Sequence, residues 1–333
     1  MRSNRGVVPM GILIASHNSI LIADADGGSM QAAPGFPGRH PTCIAWDRFE
    51  EGVAWCGTRA DGVYTSDDGG RTWRAVGLAG EHITALTPSP LEPGVVWAGT
   101  EPSVVWRSSN GRNWRRLEGL ADLPSSADWS FPPKPHTHHV RWIAHHPIRP
   151  GYLWIAIEAG ALIMTPDGGR TWRDRVRGGP WDTHELAIHP DRPESLHISA
   201  GDGYFESDDG GSTWSSPSDG LEVGYLRSVA IDPGDPDVVV VSAATHAHAA
   251  YIAGRSDGRV YRRSRGETWH RVLDGWPDPP RTIAPLLAAG RESGEFWGTD
   301  ERGLHQSRNG GRSWRQVAEF PTTPDHLRGL AVR

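Results

Sequence analysis

The chain has 333 residues and a net charge of −6. A duplex-binding domain normally carries a net basic charge, so nucleic acid is not an expected partner. Only 37% of residues are hydrophobic, Gly (41) and Pro (27) are abundant, and Trp (16) outnumbers Phe (6) and Tyr (6), which argues against a large helical core and for many short strands between Gly/Pro turns. No stretch approaches the roughly 20 apolar residues of a membrane helix, so no membrane association is expected.

The N-terminal run Met1–Ser16 has two arginines ahead of an apolar segment, but Pro9 interrupts it and its end matches a repeat strand. It reads as structure rather than as a leader, and a cytoplasmic location is expected. Two cysteines, Cys43 and Cys56, are too few for a disulfide framework and are expected to be reduced. Asp24-Ala25-Asp26-Gly27-Gly28 has the start of a calcium loop, but the twelfth position is Gly35, not an acid, and the match fails. No P-loop or Gly-x-Ser-x-Gly elbow is present, and no nucleotide cofactor is expected.

Internal repetition organises the rest. Ser66-Asp67-Asp68-Gly69-Gly70-Arg71-Thr72-Trp73 recurs as Thr165–Trp172, Ser207–Trp214 and Ser307–Trp314. Weaker copies end at Trp114 and Trp269, and an eroded one at Met30. The spacings between these end points are 43, 41, 58, 42, 55 and 45 residues. A base period near 42 is that of a four-stranded propeller blade, with insertions lengthening two units. Upstream of each turn lie three β-rich runs, for example Cys43–Trp46, Gly52–Gly57 and Gly62–Ser66. Innermost strands recur at Ile83–Leu86, Trp142–His145, Glu185–Ile188, Ser228–Ile231 and Thr282–Ala284. The first unit lacks an innermost strand, and Leu327–Val332 is an orphan one. Joining them predicts a closed all-β, seven-bladed propeller over 1–333, its C-terminal strand completing the N-terminal blade.

The turn pattern Ser/Thr-x-Asp-x-Gly-x-Thr-Trp resembles the Asp-box, or BNR repeat, of the sialidase superfamily and its propeller relatives. Asp68, Asp167, Asp209 and Asn309 are therefore expected to form turns by accepting backbone N–H bonds rather than to catalyse. The resemblance implies several functions. Sialidases would bring an arginine cluster and a Tyr nucleophile with a Glu partner, but they have six blades, and no Phe-Arg-Ile-Pro segment occurs here. Xyloglucan-active relatives use two tandem propellers with paired acids. Other Asp-box propellers resemble photosystem assembly factors or sorting receptors, which do no chemistry.

The boxes mark one face as scaffold, and both insertions, about 121–139 and 244–257, map to the opposite, top face. Aligning the innermost strands on a shared alanine places Thr42, His82, Arg141, His184, Arg227, Arg281 and Arg328 around the channel mouth. A ring of cations at a concave mouth favours an anionic ligand. Arg141, Arg227, Arg281, Arg328 and His82 are the expected substrate binders, and His184, Glu185 and Tyr225 the expected catalytic groups. His136, His138, His139, His246 and His248 in the insertions predict a divalent transition-metal site, to which turn acids such as Glu101, Glu158, Asp202 and Asp300 could contribute. The expected function is an enzyme acting on a small anionic or glycan-like substrate, by metal-assisted hydrolase or lyase chemistry. The alternatives are a sialidase-like glycoside hydrolase and a non-catalytic scaffold presenting Trp129, Phe131 and Trp181.

Overall fold

The computed structural model describes residues 11–24, 28–34, 36 and 40–333. The N-terminal run through Met10 and most of the acidic turn at 24–28, with Gly35, lie outside the described residues. Seven antiparallel sheets form a propeller. We number the blades by their innermost strands: Leu327–Val332 (blade 1), Pro41–Trp46 (2), His82–Pro88 (3), Val140–His145 (4), Thr183–Ile188 (5), Tyr225–Asp232 (6) and Leu286–Ala289 (7). Leu327–Val332 pairs with Gly11–Ser16, Leu13 facing Ala331, and so closes the ring.

The second strand of each blade is the most apolar, because it is packed against neighbouring blades on both faces. Ile12, Leu13, Ile14 and Ala15 are buried, as are Leu153 through Ile157. Where the next blade approaches closest, only a small residue fits. A Cβ on Gly99 would lie 2.4 Å from Val140 Cγ1 of blade 4.

The repeated turns have the expected chemistry. Asp68 Oδ1 accepts the Arg71 and Thr72 N–H groups at 3.0 and 2.9 Å, and Thr72 Oγ1 donates to Oδ2 at 2.6 Å. Ser66 Oγ accepts the Gly70 N–H at 2.9 Å, and Gly70 has a φ of 87°. Asp167, Asp209 and Asn309 each accept the N–H four residues on, at 2.9, 2.8 and 3.0 Å. These bonds hold the Asp68 and Asp167 carboxyls below their usual range and bring Asp209 down to about 2.

Three details differ from the sequence reading. Blades 4 and 5 have three full strands, the fourth being reduced to the single bridges Met164–Arg173 and Glu206–Ser215. After Arg173 the chain is drawn to the first insertion, where Asp174 accepts the Ser125 N–H at 2.8 Å. After Ser215, Pro217 supplies no N–H to continue the ladder. The innermost strand of blade 7 is Leu286–Ala289 rather than Thr282–Ala284, because Pro285 blocks an earlier start. Cys43 and Cys56 are free thiols. Burial pushes Cys43 up to about 12 and Cys56 well above its usual value, which keeps both protonated and unreactive.

Candidate functional site

Six innermost strands share an irregularity that the sequence did not reveal. Each pairing slips by one residue near the top of the strand, leaving Thr42, Thr84, Arg141, His184, Arg227 or Arg328 unpaired. A β-bulge re-aims the extra residue, and all six line one central cavity of about 180 Å³.

The bulge corrects the expected ring. In blade 3, Thr87 rather than Ala85 faces the second-strand tryptophan Trp97, as Ala45 faces Trp55 and Ala144 faces Trp154. The ring position is therefore Thr84, and His82 lies outside it, its Nδ1 3.4 Å from Glu101 Oε2. In blade 7, Ala288 faces Trp297, and Arg281 is exposed ahead of the strand. Alignment on the alanine failed in these two blades because each carries an alanine at the wrong depth.

The bulge side chains also fasten blade to blade. Thr42 Oγ1 donates to Ile83 O at 2.5 Å and Thr84 Oγ1 to Val140 O at 2.6 Å. His184 Nδ1 lies 2.5 Å from Leu226 O. Arg227 donates to Ala284 O at 2.6 Å and to Leu327 O at 2.8 Å, and its guanidinium lies 4.5 Å from the centre of the Tyr251 ring. Burial lowers Arg227 to about 10. Both terminal nitrogens of Arg227 are thus engaged by carbonyls, while its buried Nε has no partner among the described residues. Arg141 instead meets Glu158, Nε to Oε2 at 3.3 Å, and the Tyr251 hydroxyl at 3.4 Å. Arg328 has no hydrogen bond or ion pair among the described residues.

Glu158, Asp182 and His184 bring one potential ligand atom each within 4.8 Å of one another, and they form the one such group of three among the described residues. They come from three segments: the turn after Leu153–Ile157, the link into blade 5, and the blade 5 bulge. Nδ1–H donation to Leu226 O leaves the His184 Nε2 lone pair facing the acids, 3.8 Å from Asp182 Oδ2. Asp182 Oδ1 accepts the Ala159 N–H at 2.9 Å, and Ala159 has a φ of 49°, a left-handed conformation that costs a non-glycine residue energy. His139 Nε2 lies 2.9 Å from Glu158 Oε2. Glu158 is held down to about 2: burial opposes this, and His139 and Arg141 outweigh it. Burial raises the Asp182 carboxyl. A lowered and a raised acid beside an imidazole nitrogen is a donor set suited to a divalent transition metal.

The five insertion histidines do not gather. His139 joins Glu158, His138 packs edge-on against Trp129, and His136 is exposed. His246 caps the short helix Ala247–Tyr251 by accepting the Ala249 N–H, and its ring centre lies 6.1 Å from that of His248. Of the other turn acids, Glu101 pairs with Lys134, Asp202 accepts the Trp181 and Asp182 N–H groups, and Asp300 pairs with Arg302 and His305. Of the expected catalytic groups, Tyr225 Oη lies 3.4 Å from His184 Nε2. Burial raises the Tyr225 phenol, which stays protonated. Glu185 turns deeper into the channel, where Ser228 Oγ donates to it at 2.5 Å, and burial raises it to about 7.

No family model and no curated protein matches the chain. Among solved structures the fold resembles a GH74 enzyme from Niastella koreensis (TM-score 0.70, 13% identity, over 92% of this chain and 52% of that one). It also resembles an ancestral GH74 enzyme (0.66, 16%, over 85% and 39%) and YCF48 bound to D1 peptide (0.60, 17%, over 92% and 84%). The chain spans about half or less of the length of these GH74 chains. At such identities the likeness is one of fold. No helix among the described residues is long and apolar enough to cross a membrane.

Proposed function

We propose that the chain is an enzyme acting at the top mouth of the channel on a small anionic or glycan-like substrate, by hydrolase or lyase chemistry assisted by a divalent transition metal. The observation that supports this reading is the His184 ring, fixed through Nδ1 so that Nε2 faces Glu158 and Asp182 beside Arg141. A backbone carbonyl on the far nitrogen is the usual way a ligating imidazole is oriented. Glu158, Asp182 and His184 would hold the ion, which would polarise a substrate oxygen or a bound water. Arg141 and Arg328, not tied to carbonyls, would take the substrate anion, with Arg227 fixing the wall behind them. The protonated Tyr225 hydroxyl is placed to donate a proton or hydrogen bond. Glu185, poised near 7, suits proton transfer at neutral pH. In this reading 1–333 is one unit, its turns are of the Asp-box class, and it works in the cytoplasm.

A sialidase-like mechanism is less well supported, because Glu185 is engaged by Ser228 and Val229 rather than by Tyr225. A non-catalytic scaffold is the second reading. It is favoured by the 84% of YCF48 that the match spans, against 39% and 52% of the GH74 chains. Elemental analysis of untagged protein tests the first reading. Stoichiometric metal that persists in His138→Ala/His246→Ala and disappears in Asp182→Asn/His184→Ala is the expected result. Metal-free protein that binds no added Zn²⁺, Mn²⁺ or Ni²⁺ overturns the metal-assisted mechanism and moves the scaffold reading forward.

A further inference from the structure

Across the mouth from Glu158, Asp182 and His184, blades 1 and 2 present a second constellation. The His17 and His40 ring centres are 4.7 Å apart, and His17 and His326 are 6.1 Å apart. Three separate loops are stitched together to hold them. The His17 N–H donates to His326 O at 2.8 Å, the Arg59 N–H to His40 O at 3.1 Å, and His40 Nδ1 lies 3.2 Å from His17 O. His40 has a φ of 49°, so it too is held in the left-handed region. Burial first, and then the charges of His40, Arg328, His326 and Arg59, depress the protonation of His17 below its usual range, which puts both arginines beside the cluster. Neither arginine has an ion-pair partner among the described residues. The nearby acid is Asp325, which is exposed and accepts from Asn18. The cluster is continuous with the channel, because Tyr251 neighbours both His326 and the two channel arginines Arg141 and Arg227.

We infer that His17, His40 and His326, with Arg59 and Arg328, bind a tetrahedral oxyanion, the phosphate or sulfate ester group of the substrate. The inference rests on the reading of the mouth as a substrate site and names the class of that substrate. His17 and His40 are half-buried and Arg59, His326 and Arg328 exposed, so these groups repel one another within reach of solvent, a cost that a bound dianion offsets. Imidazole donors from three loops, with two guanidinium charges beside them, match the several acceptor oxygens of such a group better than the planar pair of a carboxylate. Because an anion favours the charged imidazoles, its affinity should rise as pH falls through the histidine range near ~6.5.

The test is calorimetric titration of the full chain with inorganic phosphate and inorganic sulfate at pH 6 and pH 8, then with a sugar phosphate and a sugar sulfate to separate the two esters. Saturable binding, tighter at pH 6 and weakened about tenfold or more in His17→Gln/His326→Gln, is expected. The same binding should survive in Asp182→Asn/His184→Ala, so a failure of the metal reading leaves this result standing. Absence of saturable binding by all four probes overturns the inference, as does binding that the His17→Gln/His326→Gln variant leaves unchanged. Circular dichroism and thermal melting of each variant confirm that it is folded.

Discussion

His184 Nδ1 and the main-chain oxygen of Leu226 are 2.5 Å apart across the seam between blades 5 and 6. The bond does two things at once. It fastens neighbouring blades, as the Thr42 and Thr84 hydroxyls do elsewhere, and it sets the tautomer that aims Nε2 at Glu158 and Asp182. His184→Asn, which can keep a seam bond but not the ligand nitrogen, is expected to melt close to the native protein and to lose metal. His184→Ala should lose metal and melt lower. Thermal scans paired with metal content separate the two roles.

Arg227 should behave as a structural residue even though it lies at the mouth. It is 3% exposed and serves carbonyls from blades 7 and 1. Arg227→Met would strand those buried acceptors at a cost of about 3 kcal/mol or more, lowering the denaturation midpoint in urea. Arg328→Met should leave that midpoint near native while weakening anion binding.

The turn aspartates predict the opposite separation. Asp209→Ala removes acceptors for the Thr213 N–H and hydroxyl and should cost about 1–2 kcal/mol, with ligand binding at the mouth unchanged. The Asp209 carboxyl is held down to about 2 in the folded chain. Its contribution is therefore present above the unfolded value near ~4 and fades as pH falls toward 2. The stability gap between native and Asp209→Ala should close along that path.

Glu185 gives a pH dependence of the other sign. Burial raises it to about 7, so between its unfolded value near ~4.3 and 7 the folded chain binds the extra proton and stability falls as pH rises. Glu185→Gln should match the native midpoint below about pH 4 and exceed it at pH 8. A native protein that remains the more stable at pH 8 would contradict the assigned burial effect.

Blade packing yields a purely steric prediction. Gly99→Ala places a methyl group 2.4 Å from Val140 Cγ1, and a branched side chain on a strand has little freedom to retreat. A loss of about 1–3 kcal/mol is expected, and Gly99→Ala/Val140→Ala should recover part of it.

The blade count, the turns and the closing strand were legible in the sequence because their determinants are local. A Ser-x-Asp-x-Gly-x-Thr-Trp run contains both partners of its own hydrogen bonds. The site was only partly legible. Arg141, His184, Arg227 and Arg328 were placed on the ring by counting back from a shared alanine. The same count misplaced His82 and Arg281, because Ala85 and Ala284 lie at a different depth from the alanines of the other blades, Thr87 and Ala288 facing the second-strand tryptophans instead. Glu158 was visible singly, as a turn acid, and nothing in the repeat pairs it with Asp182. Their convergence depends on how adjacent blades rotate, which no spacing encodes. The one local signal was Asp182-Thr183-His184, whose alternate residues share a side of an extended chain. The insertion histidines drew attention by their density, yet His246 is occupied as a helix cap and His138 as a partner of Trp129.

The strand that closes the ring also supplies Arg328 to the bulge ring, and its Leu327 carbonyl receives Arg227. Gly11–Ser16 therefore keeps an open edge until Leu327–Val332 has been made and can pair with it. A chain that stops short of Leu327 lacks both the closing strand and the Arg328 of the bulge ring. Sealing the propeller and completing its cationic mouth are the same event.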